Sequence, residues 1–409
     1  MCALRFRSCS VVAAGLGLAF AAGAVAAGPI ADRITTATLT LPTAVAGTTP
    51  SYCLGGYCSI GPRLYLAPRS DGSYWLGWTD DGGNGHVSLL ASGAIAGTFD
   101  YAGEEARGLV AHDDGSFAVL LRRAADSTLR LTRRSATNAT LFSTAIGNPL
   151  AIAQMNTGDA RLAYGNSRYA AYFAVHGTSG NYDGHEGDQL AYVSSSGALL
   201  SGGWSWGCSH QIAGLVGFHA GMNAFSAICL SDCYASKGIL YNNSRNLFGI
   251  DGSCDGTAWG QFGQLAAGDT AWKLAFVAQG TPSYPAQGVG LLSFTSSAAV
   301  TPTVSWLTTT GGINERDPVL ARVGSSAPER FLAGWRSGST FQLALVDGNG
   351  AYLAPPENVS GISWGNRDDS LRTTADGKVA WVSAAAGTRN LKLYVYAERG
   401  DAVFASGFE

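Results

Sequence analysis

The chain has 409 residues, of which only 13% are charged and 55 are glycine, and its formal net charge is −3. Lysine is confined to Lys237, Lys273, Lys378 and Lys392, so the sequence lacks the basic excess of a nucleic-acid or anionic-membrane binder. At this length a large apolar core is available, which excludes a miniprotein held together by cysteines alone.

The N-terminus carries Arg5 and Arg7, followed by an Ala-, Gly- and Leu-rich stretch from Val11 to Val25. Ala24 and Ala26 then fit an A-x-A cleavage site. This layout predicts a secretory signal peptide over residues 1–26, leaving a mature domain over 27–400 and a tail over 401–409. The apolar run is short and Gly-rich and no second one follows, so no transmembrane segment is expected after signal removal. Losing Arg5 and Arg7 takes the formal charge from −3 to −5. Cys2 and Cys9 leave with the leader, and Cys53, Cys58, Cys208, Cys229, Cys233 and Cys254 remain. An even number of cysteines in an exported chain predicts disulfides, with about 15 pairings open for six. The spacings do not give the two C-x2-C pairs of a four-cysteine zinc site.

Beyond the leader, short β-branched and aromatic runs alternate with Asp-Gly, Gly-Asn, Asn-Asn and Ser-Gly turns, which read as consecutive hairpins. The stretch Ile34-TTATLTLP stands alone as a strand. A recurring unit then has first strands beginning near Pro62, Arg107, Ala160, Gln211, Gln264, Pro318 and Ser370, at spacings of 45, 53, 51, 53, 54 and 52 residues. Seven four-stranded units of this length predict an all-β, seven-bladed β-propeller. The last unit has only three strands, so the Ile34 segment is expected to supply the fourth and leave no open edge.

A four-stranded meander sends its blade-to-blade links and its second-to-third-strand loops to one face. Its two other turns go to the opposite face. The opposite-face turns here are short (SDG, DDG, NSR, NNSR, GNG), whereas the link face collects the unusual residues. In chain order these are Asp80, Asp81 and His86, then Glu104 and Glu105. The long loop from His176 to Asp188 follows, and then Trp204 to His210. Asp232, Tyr234, Asp251 and Asp255 come next, then Glu315-Arg316-Asp317 and Arg367-Asp368-Asp369. All six remaining cysteines map there too, and loops on a rigid scaffold are where binding residues gather.

Asp183, His185, Glu186, Asp188 and His210 form a candidate divalent metal set, for Zn²⁺ through nitrogen and oxygen or for Ca²⁺ through oxygen. The alternative is a hydrogen-bonded network that shapes the loop, and the calcium-loop pattern is interrupted by His185. Trp204, Trp206 and Tyr234 are candidates for stacking on a ligand ring, and Arg316, Asp317, Arg367 and Asp369 for polar ligand contacts. Packing between blades is the competing role for the tryptophans and for the Asp/Arg pairs. The arginines Arg122, Arg123, Arg130, Arg133 and Arg134 read as a solvated strand face. No G-x-S-x-G elbow, P-loop, H-E-x-x-H or dinucleotide glycine pattern occurs.

HEGDQL, GGWSWGCSH and ICLSDCYASKGI, between His185 and Gly238, resemble a poorly characterised group of secreted bacterial propellers, over about two of the seven blades. That resemblance implies the fold and no particular chemistry. Separately, Val403-Phe-Ala-Ser-Gly-Phe-Glu409 resembles the GFE-type endings of exported proteins from Xanthomonas- and Lysobacter-like bacteria, and implies export in a Gram-negative cell. The sequence therefore leads to a monomeric, extracytoplasmic, non-catalytic binding propeller for a glycan or protein ligand. The rivals are a metal-dependent hydrolase or lyase using His185, Glu186, Asp188 and His210, and a structural surface protein.

Overall fold

The computed structural model describes residues 30–47, 49–50, 59–60, 64–152, 160–208, 211–231, 238–249, 260–281, 284–309, 312–364 and 370–398. Residues 1–29 and 399–409 lie outside the described residues, and so do Cys53, Cys58, His210, Asp232, Cys233, Tyr234, Asp251, Cys254, Asp255, Arg367, Asp368 and Asp369. Among those described, no helix is long and apolar enough to cross a membrane.

Seven four-stranded antiparallel sheets follow one another along the chain, a seven-bladed β-propeller. The innermost strands are Tyr65–Pro68, Glu104–Ala111, Ala160–Gly165, Gln211–His219, Gly260–Ala267, Glu315–Val323 and Arg372–Thr373. Each lies against the next, and the seventh lies against the first, so the ring is closed. The expected starts fall within four residues of the observed ones. The largest difference is in the fifth blade, where a break in pairing between Phe262 and Leu265 lets the strand begin earlier, at Gly260. Comparable irregularities lie between Ala106 and Gly108, Gln211 and Ala213, and Arg316 and Val319. A bulge at this recurrent place bends the inner strand and re-aims a side chain.

The free N-terminal strand is the missing piece of the seventh blade. Ile34–Thr40 pairs antiparallel with Asn390–Tyr396, from Ile34 opposite Tyr396 to Thr40 opposite Asn390. Its Leu39 joins Leu66, Leu76, Ala380 and Leu391 in a cluster that bonds the last blade to the first.

Among the described residues, the buried apolar side chains fall into seven clusters, each shared by two adjacent blades. This explains a feature of the sequence. A middle strand such as Phe117–Arg123 is covered on both faces by neighbouring blades, so its first five residues are all buried. An outer strand such as Leu199–Gly207 is covered on neither face at its start and leaves Leu199 and Leu200 exposed. Continuous apolar runs thus mark the middle of a blade, and alternation or polarity its rim.

Candidate functional site

The loop between His176 and Glu186 closes on itself through short-range bonds. Gly177 N–H donates to the His185 carbonyl at 2.8 Å and Gly184 N–H to the Gly177 carbonyl at 3.1 Å, around a 3-10 turn at Gly180–Tyr182. Asp183 and His185 stand exposed at its tip. Glu186 and Asp188 lie beyond it in the strand Glu186–Ser194, on the same side because strand residues two apart share a face. Both are buried. His176 Nδ1 meets Glu186 Oε1 at 2.6 Å, and burial raises the Glu186 pKa despite the imidazole beside it. Asp188 accepts the Tyr172 hydroxyl at 2.5 Å and the Trp204 indole N–H at 2.6 Å. Burial nevertheless pushes its pKa up to about 6.

The residues expected to share a divalent ion therefore divide. Asp183 and His185 are exposed at the surface, Glu186 is buried against His176, Asp188 is buried against Tyr172 and Trp204, and His210 lies outside the described residues. Asp188 instead meets Cys208 and Cys229, with ligand-type atoms of all three within 4.8 Å of one another. Those two cysteines form a disulfide with 6.5 Å between their Cα atoms, which fixes one of the pairings the sequence left open. Cys208 follows the third blade and Cys229 belongs to the fourth, so the bridge ties neighbouring blades beneath the long loop. The sulfurs are bonded to each other and both carboxylate oxygens to Tyr172 and Trp204, so all three groups are already engaged at the base of the loop.

The two tryptophans expected to stack on a ligand are half-buried and pack on neighbours within the protein. Trp204 lies edge-on to Tyr172, with ring centroids 6.1 Å apart. Trp206 packs against Tyr182 at 4.7 Å and covers Gly187 so closely that a Cβ there would come within 2.7 Å of its ring. Only glycine lets that indole lie on the strand. In the sixth blade, Arg316 is exposed while Asp317 holds a left-handed backbone, φ 49°. Its N–H donates to Gln261 Oε1 at 2.8 Å, its carbonyl accepts the Trp364 indole at 2.9 Å, and its carboxylate lies 3.3 Å from Arg336 Nε. Burial raises its pKa against the pull of Arg336 and Arg316. This conformation is held by neighbours on three sides.

The arginines of the second blade are matched rather than merely solvated. Arg122 pairs with Glu105, Arg123 with Asp126, Arg130 with Glu104 and Arg133 with Asp114. Arg134 lies 5.4 Å over the Tyr101 ring. In the first blade, His86 lies between two carboxylates, Nδ1 at 2.7 Å from Asp100 Oδ1 and Nε2 at 3.1 Å from Asp80 Oδ2, and stacks on Trp78 at 4.1 Å.

An open cleft of about 510 Å³ lies on the same face between the sixth and seventh blades. Its lining includes Phe341, Asn358, Ser360, Ser363 and Lys392. Phe341 is braced edge-on by Trp364 at 4.6 Å, Asn358 Oδ1 accepts Gln342 Nε2 at 3.1 Å, and Lys392 is exposed. Sequence reasoning missed these residues because they come from three separate segments with no unusual composition. The one available signal was that Lys392 is among only four lysines in the chain.

No protein-family model matches the chain, and no curated protein matches it in sequence. Solved structures that it resembles include the family-93 α-L-arabinofuranosidase of Fusarium graminearum, at 9% identity and TM-score 0.47 over 87% of this chain and 98% of that one. The Penicillium chrysogenum α-L-arabinanase gives 9% and 0.44 over 88% and 98%. The Cps50 (Swd1) β-propeller domain of Myceliophteria thermophila gives 9% and 0.44 over 89% and 100%. A prolyl endopeptidase is matched at 12% and 0.42, and there the alignment covers 81% of this chain but only 45% of the endopeptidase. At identities of 12% or less and TM-scores below 0.5, these likenesses assign no activity.

Proposed function

We propose that the protein is an extracytoplasmic, non-catalytic binding propeller that takes a glycan on its link face. The observation that carries this reading is the cleft of about 510 Å³ between the sixth and seventh blades. It offers an aromatic ring, hydroxyls, a side-chain amide and an exposed ammonium, drawn from strands of two blades and the link between them. Sites of this size and mixed lining suit a ligand that needs both an apolar surface and several hydrogen bonds. The engagement of Glu186 and Asp188 in internal hydrogen bonds also supports binding over metal-assisted hydrolysis. Export is supported by the charged, apolar and small-residue pattern of residues 1–26, and by a disulfide between buried cysteines.

The test is a glycan array followed by calorimetry on the hits, with wild type, Asn358→Ala and Lys392→Ala. Saturable binding that weakens about tenfold in either variant supports the reading. Binding unchanged in both variants removes the cleft from consideration. A stoichiometric metal that is lost in His185→Ala, together with turnover of a glycan, replaces this reading with a metal-dependent hydrolase or lyase. N-terminal sequencing of protein from the producing cell should begin at Ala27.

A further inference from the structure

The cleft between the sixth and seventh blades carries a positive charge that the protein itself does not answer. Lys273 is paired with Glu329 at 3.2 Å and Lys378 with Asp376 at 2.7 Å. Lys392 has no carboxylate within ion-pair distance among the described residues, and no aspartate or glutamate is among those lining the cleft.

The strand Asn390–Tyr396 decides where this ammonium goes, because residues two apart share a face. Leu391 and Leu393 pack in the cluster shared with the first blade, and Tyr394 and Tyr396 in the cluster shared with the sixth. Lys392 belongs to the row of the two tyrosines, so it stands on the face turned to the sixth blade. Both tyrosines are buried there, whereas Lys392 is exposed and lines the cleft.

The remaining groups of the cleft suit a sugar with a negative charge. Asn358 is exposed, and its Oδ1 accepts Gln342 Nε2 at 3.1 Å, which leaves its NH2 as the group to meet a ligand. Ser339 and Ser360 are exposed and add hydroxyls. Phe341 supplies the apolar surface. Trp364 meets its ring edge-on, and the Trp364 indole is itself tied to the Asp317 carbonyl at 2.9 Å, so the ring is braced from behind. A neutral sugar would leave the charge of Lys392 unanswered, and an inorganic anion would leave Phe341 unused. An ammonium is a compact point charge, and it accepts a planar carboxylate or a tetrahedral sulfate ester alike.

We infer that the ligand of this cleft is an acidic glycan, with a sugar ring on Phe341 and its anionic group, carboxylate or sulfate ester, against Lys392. This rests on the glycan-binding reading above and adds the charge of the ligand to it.

The experiment is calorimetry on the full mature chain with methyl glycosides of the gluco, galacto and manno series. Each neutral sugar is compared with its uronide and its 6-sulfate, and inorganic sulfate is the control. In at least one series an acidic form should bind about tenfold tighter than its neutral parent, the effect of one charge-assisted hydrogen bond. The preference should shrink in about 0.5 M salt, which screens an exposed charge. Lys392→Met, at an exposed position, should abolish the preference and leave the affinity of the neutral parent within about twofold. A uronide preferred over its 6-sulfate assigns a carboxylate to the site, and the reverse order assigns a sulfate ester. Neutral and acidic sugars binding equally, and more weakly in Asn358→Ala, overturn the inference while the glycan reading stands. A preference that survives Lys392→Met, or inorganic sulfate binding as tightly as the sugars, also overturns it. No binding in any series removes both readings.

Discussion

Trp204 donates its indole N–H to Asp188, with Nε1 and Oδ1 2.6 Å apart, at a carboxylate that has no exposed surface. The bond joins the outer strand of the third blade to the strand that leaves the long loop. Beside it runs the Cys208–Cys229 bridge to the fourth blade. One buried acid thus stands beside a loop, an outer strand and an interblade covalent link.

Burial raises the Asp188 pKa from 3.8 to about 6, so the folded chain holds this proton more tightly than the unfolded chain. The associated stability is complete below the ordinary carboxylate pKa and is lost as pH rises through about 6. A shift of that size corresponds to roughly 3 kcal/mol. Asp188→Asn keeps an acceptor for Trp204 and should flatten the stability-versus-pH curve between about pH 4 and 6. Asp188→Ala leaves the Tyr172 hydroxyl and Trp204 N–H unpaired and should cost about 2 kcal/mol or more at every pH. Denaturant titrations across this range check both. An Asp188→Asn curve parallel to wild type would falsify the assignment.

Reduction should loosen the same region without unfolding the ring. Cys208 and Cys229 are 21 residues apart in sequence, and closing a loop of that order stabilises by about 3 kcal/mol through the unfolded chain. The double variant Cys208→Ala/Cys229→Ala should be destabilised by about that amount and keep its β-sheet circular dichroism. Peptide mapping without reductant should recover Cys208 linked to Cys229. A map that joins either one to another cysteine contradicts this arrangement.

The blade count and the closing strand were legible because both are written in local sequence. A period of fifty-odd residues and an isolated Thr/Leu alternation at Ile34 need no knowledge of contacts. The roles of Asp188, Trp204 and Trp206 were not legible. Whether a polar or aromatic residue faces a ligand or a neighbouring blade depends on register, and a shift of one residue reverses it. Cysteine pairing likewise depends on which blades touch. The Gly187 contact with Trp206 was hidden too, since a glycine in HEGDQL reads as loop chemistry until the indole above it is seen.

Ring closure by the N-terminal strand makes the first described residues essential to the last blade. Deleting residues 30–41 removes Leu39 and Leu41 from the core and turns Asn390–Tyr396 into an unpaired edge. Such an edge invites pairing between chains. The truncated chain should lose cooperative unfolding and elute as aggregates in size-exclusion chromatography. Adding the segment as a separate peptide should bind and partly restore the monomeric peak. A truncated chain that melts cooperatively as a monomer shows that the seventh blade does not need this strand.

His86 offers the last test, because its two carboxylate partners differ in exposure. The His86 and Asp80 side chains are 6% and 12% exposed, whereas the Asp100 side chain is 71% exposed. Burial works to raise the Asp80 pKa, but the Asn84 backbone N–H, His86 and the Asn84 side chain outweigh it and hold it below the usual carboxylate value. A depressed carboxylate contributes stability that is present above its unfolded pKa and is lost as pH falls through its folded pKa. Acid should therefore weaken this corner of the first blade only below the ordinary carboxylate range. His86→Ala removes the imidazole from both acids and its stacking on Trp78, and should cost about 2 kcal/mol at neutral pH. Asp100→Asn disturbs an exposed partner and should cost less than about 1 kcal/mol. Equal losses in the two variants would show that the exposed contact, and not the buried Asp80–His86 pair, holds the loop to the blade.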